Sequence, residues 1–185
     1  MLTLRRKRPS SPCCPPEFDS EELPGRDGTR TTVVLVGNPN VGKSTLFNAL
    51  TGARHHVGNW PGKTVQVASG RWRLGGQAVV LTDLPGTYSL VPRSPDEQVV
   101  REILTAGPAR PDLVVAVVDA ANLARNLYLV EQVLRTGIPV VVALTMIDVA
   151  ASRGIRIDER ELARRLGVAV VTLSPRAGQG LDRLG

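Results

Sequence analysis

The stretch that most limits what this chain can fold into is Gly37-Asn38-Pro39-Asn40-Val41-Gly42-Lys43-Ser44. It fits GxxxxGK[ST], and its context is a strand entering, Val33 to Val36, and a helix leaving, Thr45 to Leu50. Gly37 and Gly42 permit turns and close approaches that a Cβ would obstruct, so successive N–H groups can face one concavity. That cradle suits the β-phosphate of a nucleotide, with Asn38, Pro39, Asn40 and Val41 wrapping it and Thr45 continuing into the helix. The helix adds its positive N-terminal end. Lys43 is placed to reach the β- and γ-phosphates, and the Ser44 hydroxyl to ligate Mg²⁺.

The remaining pattern alternates strands and helices. Thr31 to Val36 is a continuous β-branched run, as expected of a parallel strand buried on both faces. Gly52 caps the first helix. Ala53 to Lys63, with two His, Gly58, Pro61 and Gly62, reads as a mobile loop. Strands over about Val65 to Ser69 and Ala78 to Thr82 form a hairpin turning at Gly75 and Gly76. Asp83 then stands at the carboxyl end of an apolar strand, where a Walker B acid would hold Mg²⁺. Ser94, Pro95 and Glu97 start a helix as cap, first residue and capping-box acid. Strands over Leu113 to Val118, Pro139 to Leu144 and Val168 to Leu173 follow, separated by helices over about Asn122 to Thr136 and from Asp158 to Gly167. The expected fold is α/β, a P-loop NTPase of the Ras-like kind. Its sheet should be mostly parallel, of about six strands with one antiparallel, and helices should cover both faces. The ligand belongs at the carboxyl ends of the strands. Gly185 falls a few residues into an expected final helix, so this helix should be truncated and the chain is expected to be a fragment.

Residues 1–30, rich in Pro, Ser and charge, are expected to be a disordered tail, leaving 31–185 as the nucleotide-binding domain. At 185 residues and 42% hydrophobic content there is room for one full core, and with only 3% aromatics it must be built from Val, Leu, Ile and Ala. No apolar run approaches the ~18 residues of a membrane helix. The net charge of +6 includes Arg5, Arg6, Lys7 and Arg8, which lack interleaved aromatics and read as a solvated tail, so no nucleic-acid partner is expected. The start lacks a secretory signal, and a cytosolic setting follows. Cys13 and Cys14 are adjacent, poor geometry for a disulfide or a zinc site.

Four further stretches lie where a GTPase needs them. Thr64 occupies the switch I threonine position, expected to complete the Mg²⁺ shell. Asp83 and Gly86 match DxxG, with the Gly86 N–H expected at the γ-phosphate. Thr145-Met146-Ile147-Asp148 holds the NKxD position, and Ser174-Pro175-Arg176 the SAK position. Val57-Gly58-Asn59-Trp60-Pro61-Gly62-Lys63-Thr64 and Asp83-Leu84-Pro85-Gly86-Thr87-Tyr88-Ser89-Leu90 narrow the resemblance. Together they resemble the N-terminal G domain of the bacterial ferrous iron transport protein B family, within the TrmE-Era-like GTPases. The likeness covers roughly residues 31 to 185. It implies binding of GTP and GDP with Mg²⁺, slow hydrolysis, and a role in ferrous iron uptake at the cytoplasmic face of the membrane. It also implies helical and permease regions downstream, and admits self-association.

The same resemblance assigns the catalytic set Asn40, Lys43, Thr64 and Gly86. Asn40 matches the phosphate-loop asparagine that seats K⁺ in potassium-activated relatives, with Gly58 to Trp60 as carbonyl donors and Gly62 beside the nucleotide. At the position where Ras-like enzymes carry the water-orienting Gln stands Thr87, which is too short for that task. Thr145 replaces an Asn, losing an amide that would bond guanine and brace the phosphate loop. Pro175 has no N–H for guanine O6. Asp148 retains the carboxylate that accepts from guanine N1 and N2, so guanine preference should survive at reduced affinity. His55 and His56 read as solvent-facing rather than iron ligands, Trp60 and Trp72 as packing residues, and Arg101 and Arg125 as surface residues. Two other readings compete: an RNA- or ribosome-associated GTPase of the Era/TrmE type, and a nucleotide-binding switch with negligible turnover.

Overall fold

The computed structural model describes residues 31–59, 64–105 and 110–184. The expected tail, both cysteines, Trp60 and Gly62 lie outside the described residues. The elements in order are β1 (Thr32–Gly37), α1 (Lys43–Thr51), β2 (His55–Asn59), β3 (Gln66–Leu74), β4 (Gln77–Asp83), α2 (Pro95–Thr105), β5 (Leu113–Asp119), α3 (Leu123–Leu134), β6 (Val140–Thr145), α4 (Ile147–Ser152), α5 (Glu159–Leu166) and β7 (Ala169–Thr172).

They build one seven-stranded sheet in the order β2-β3-β4-β1-β5-β6-β7. Strands β4, β1, β5, β6 and β7 pair in parallel, while β3 pairs antiparallel with both β2 and β4. One strand therefore runs against the rest, as expected, but the strand count is seven rather than about six. The added strand is β2, which replaces part of the loop expected over Ala53 to Lys63. Its sequence, HHVGN, has no apolar alternation, and His56, Val57 and Asn59 are exposed, so backbone pairing to β3 holds it at the sheet edge.

Each face of the sheet carries its own core, as β-strand alternation requires. Val34, Val36, Val114, Ala116 and Val118 face α2 and α3 through Val99, Ile103, Leu129 and Val133. Val33, Leu35, Val115 and Val117 face α1 through Leu46 and Phe47, and Trp72 packs there as expected. Ser94 Oγ accepts from Glu97 N at 3.2 Å, and Asp158 Oδ1 accepts from Glu161 N at 3.0 Å, so both predicted caps form. Gly52, Gly137 and Gly167 take the left-handed conformation at or just beyond helix ends.

Three expectations are corrected. α3 is preceded by a 3-10 turn, Ala120–Asn122, because the Asp119 carboxylate accepts from Ala121 N and caps that turn first. α4 was not expected; it is six residues long, begins directly after left-handed Met146 and carries no side-chain cap. The final helix is replaced by two 3-10 turns, Pro175–Ala177 and Leu181–Arg183. Gly178 and Gly180, at φ 67° and 76°, interrupt any continuous helix there.

Candidate nucleotide site

The site is built where β1 and β4, neighbours in the sheet, end side by side. The Leu35–Asp83 register delivers the Asp83 carboxylate beside the loop that follows β1. Lys43 Nζ makes an ion pair with Asp83 Oδ1, and Ser44 Oγ donates to Asp83 Oδ2 at 2.8 Å. Lys43 is 9% exposed, so its charge is compensated by that carboxylate and not by water.

The loop itself is bent by two left-handed residues, Asn40 at φ 65° and Gly42 at φ 85°. Asparagine tolerates that region better than other side chains do. Gly37 is required by space: a Cβ would lie 2.6 Å from the Val117 carbonyl oxygen of β5. Gly86 is closely packed too, since its Cβ would stand 3.1 Å from Pro39 backbone atoms, which would have to yield by a few tenths of an ångström. Thr87 N donates to Gly37 O at 3.1 Å, so the segment after Asp83 lies directly on the loop. Pro39 and Asn40 are exposed, as are Ser44 and Thr45 at the start of α1.

A cleft of ≈ 350 Å³ opens over this junction, lined by Lys43, Ser44, Asp83, Pro85 and Gly86 on one side and Val57, Gln66, Val67 and Ala68 on the other. The second wall was not assigned from sequence. Its signals in the sequence are that Val57 opens the run ending at Thr64 and that Gln66 lies two residues beyond it. Thr64 is exposed and is not among the residues lining the cleft.

The residues present fit a phosphate and a hard cation. Lys43 supplies a positive charge, and Ser44 and Asp83 supply two kinds of oxygen donor already converging. Asn38 Oδ1 is buried in the same loop without a hydrogen-bond partner, the only such side-chain atom found among the described residues.

The distal end holds the other predicted residues. Thr145 closes β6 with 2% exposure, and its hydroxyl lies 2.6 Å from Val41 O and 3.1 Å from Val118 O. The expectation that the brace to the phosphate loop is lost at this position is therefore corrected: the hydroxyl provides one. Met146 is left-handed, and its Cε lies 3.7 Å from where a Gly42 Cβ would be. Asp148 is exposed in the first turn of α4. Ser174 exchanges backbone hydrogen bonds with Gln179 at 3.0 and 3.1 Å, which closes a tight loop carrying Pro175 and exposed Arg176.

Behind that loop, Glu159 accepts from Thr172 N at 3.1 Å and from Arg183. The Arg183 guanidinium, assisted by Thr172, holds the Glu159 carboxyl down to about 2.

Glu97 does more than cap α2. Its Oε2 accepts from Arg93 N at 2.8 Å, and its Oε1 lies 3.3 Å from the Thr87 hydroxyl, which also reaches Ser89 O at 2.6 Å. Thr87 is fully buried. Arg125 is exposed on α3, as expected, and its guanidinium carbon also stacks 4.4 Å from the centre of the Tyr88 ring. His56 is exposed, and no cluster of metal-ligating residues occurs among the described residues.

A family model described as ferrous iron transport protein B matches residues 31–185. The chain belongs to the ferrous iron transport protein B family. The Fe(2+) transporter FeoB of Salmonella typhimurium is 49% identical over 159 residues, covering 84% of this chain and 20% of the relative. The chain thus spans about a fifth of the length of the curated relatives it matches. Among solved structures, the G domain of the T. maritima FeoB iron transporter is 44% identical with a TM-score of 0.77, over 84% of this chain and 94% of that one. The cytosolic domain of the same transporter, in a GDP form, gives 44% and 0.79, over 84% and 60%. No helix among the described residues is long and apolar enough to cross a membrane.

Proposed function

We propose that this chain is a guanine-nucleotide-binding domain that hydrolyses GTP slowly and regulates ferrous iron uptake as part of a longer FeoB transporter. The observation that carries it is the convergence of Lys43 and Ser44 on the Asp83 carboxylate across the loop. The GDP form of the T. maritima cytosolic domain supports the choice of nucleotide.

On this reading the loop from Gly37 through Thr45, including Asn38, Pro39, Asn40 and Val41, holds the phosphates. Lys43 exchanges Asp83 for the β- and γ-oxygens. Ser44, Asp83 and Thr64 would hold Mg²⁺, which supplies charge neutralisation across those oxygens when bound. Thr64 would complete that shell, with Gly62 beside the nucleotide. The Gly86 N–H meets the γ-phosphate while its absent side chain leaves Pro39 undisturbed. Asp148 reads guanine N1 and N2, between Met146 and the loop of Ser174, Pro175 and Arg176, with Thr145 beneath. Asn40 would hold K⁺ together with the carbonyls of Gly58 to Trp60, supplying positive charge beside the phosphates. The helical and permease regions of the transporter are the proposed partners, together with self-association, at the cytoplasmic face of the membrane.

Thr87 favours slow turnover over an efficient intrinsic enzyme. Its side chain is buried and committed to Ser89 and Glu97, so it cannot orient a water in the cleft. The same fact gives specific support to the second reading, a switch with negligible hydrolysis. Single-turnover GTP hydrolysis in KCl and in NaCl separates them. A K⁺-dependent rate that Asn40→Ala abolishes supports the enzyme, and equal, negligible rates in both salts support the switch.

A further inference from the structure

A hydroxyl group has one proton, and the position of Thr145 decides where it goes. The side chain is buried beneath the phosphate loop, facing two carbonyl oxygens, Val41 O at 2.6 Å and Val118 O at 3.1 Å. Both can only accept, so the proton is committed to them and the nearer one takes the larger share. The contact joins residues 104 positions apart. It fastens the loop to the ends of β5 and β6.

The consequence for the loop follows from peptide geometry. No cis peptide bond occurs among the described residues, and in a planar trans unit the C=O and the next N–H point in opposite directions. With the Val41 carbonyl turned down onto Thr145, the Gly42 N–H is turned up, away from β6. The next carbonyl, Gly42 O, is fixed in turn by Leu46 N at 2.9 Å as α1 begins. Gly42 at φ 85° accommodates the resulting bend, and Met146 packs against its Cα side.

We propose that Thr145 is a positioning residue for the phosphate loop, orienting the Gly42 N–H toward the phosphate, and makes no contact with the base. It rests on the nucleotide-binding reading above and deepens it by assigning affinity at this position to the phosphates. An asparagine there has two amide protons and a carbonyl and can serve loop and base together. The threonine serves the loop alone.

The test separates phosphate from base. GDP, IDP and pyrophosphate compete with fluorescent GDP in Mg²⁺ for the wild type, Thr145→Val, which keeps the shape without the hydroxyl, and Thr145→Ser, which keeps the hydroxyl. The expected result is one common loss for all three ligands in the valine variant, about 2- to 12-fold for one hydrogen bond, with recovery in the serine variant. A loss confined to GDP, or no loss at all, overturns the proposal. If the valine variant does not fold, Thr145→Asn decides. GDP must gain relative to pyrophosphate, and an unchanged ratio means the threonine already served the base, which overturns it. Direct calorimetric titration of the wild type that shows binding of pyrophosphate but of neither GDP nor IDP contradicts the guanine reading instead, while binding of none of the three sinks both.

Discussion

The phosphate end and the base end of the candidate site are held in different ways. At the phosphate end, side chains from α1 meet the carboxylate at the end of β4, and a charge pair and a hydroxyl fix the arrangement in advance. At the base end, the loop of residues 174–179 is closed by its own backbone, and the groups that would face a base, Asp148 and Arg176, are exposed. Buried, charge-compensated groups are preorganised and lose little on binding, whereas exposed ones must be ordered first. On the proposed reading, the phosphate end supplies the affinity and the base end the discrimination.

Lys43→Ala attacks this difference at its strongest point. Removing a charge-assisted contact to phosphate should weaken GDP binding by about 1.5 to 3 kcal/mol, roughly 10- to 150-fold in Kd, measured by fluorescence titration. A smaller loss than that of Asp148→Ala would reverse the ranking of the two ends. Gly37→Ala comes next, because its new Cβ meets the Val117 carbonyl at 2.6 Å. Such overpacking should lower unfolding stability by about 1 to 3 kcal/mol in urea titrations.

The base end is expected to respond to acid. Glu159 ionises at about 2 in the folded chain against 4.5 ordinarily, so its contribution is complete above 4.5 and is lost as the pH falls from there toward 2. With Arg183 half exposed, solvent screening limits the effect to on the order of 1 kcal/mol. Unfolding measured at pH 6 and pH 3 should show a fall that is smaller in Glu159→Gln. The smallest change is Pro175→Ala, which restores an N–H at the base loop. GDP affinity should rise by about 0.5 kcal/mol while pyrophosphate affinity stays fixed.

Legibility in the sequence divided along the same line. Gly37, Gly42, Lys43, Ser44, Asp83 and Gly86 were readable as one cluster because the loop's spacing and the strand end at Asp83 bring them together, as the contacts of Lys43 and Ser44 with Asp83 and of Thr87 with Gly37 show. The strands through Val33, Val114 and Val142 were readable for a related reason, since burial on both faces leaves an unbroken apolar run. Edge strand β2 was not, because hydrogen bonding to Gln66–Gly70 makes it and its side chains carry no pattern. Helix α4 was too short to show a period. The brace from Thr145 to Val41 and the reach of Glu97 to Thr87 are tertiary contacts that no local signal announces. Glu97 carried a capping signature that concealed its second use.

Calorimetric titration of GDP into the chain, with and without Mg²⁺, tests most directly whether Lys43, Ser44 and Asp83 grip a nucleotide. The structure predicts saturable one-site binding that Mg²⁺ strengthens and that Ser44→Ala or Asp83→Ala makes insensitive to Mg²⁺. Absence of saturable heat at millimolar GDP would contradict it.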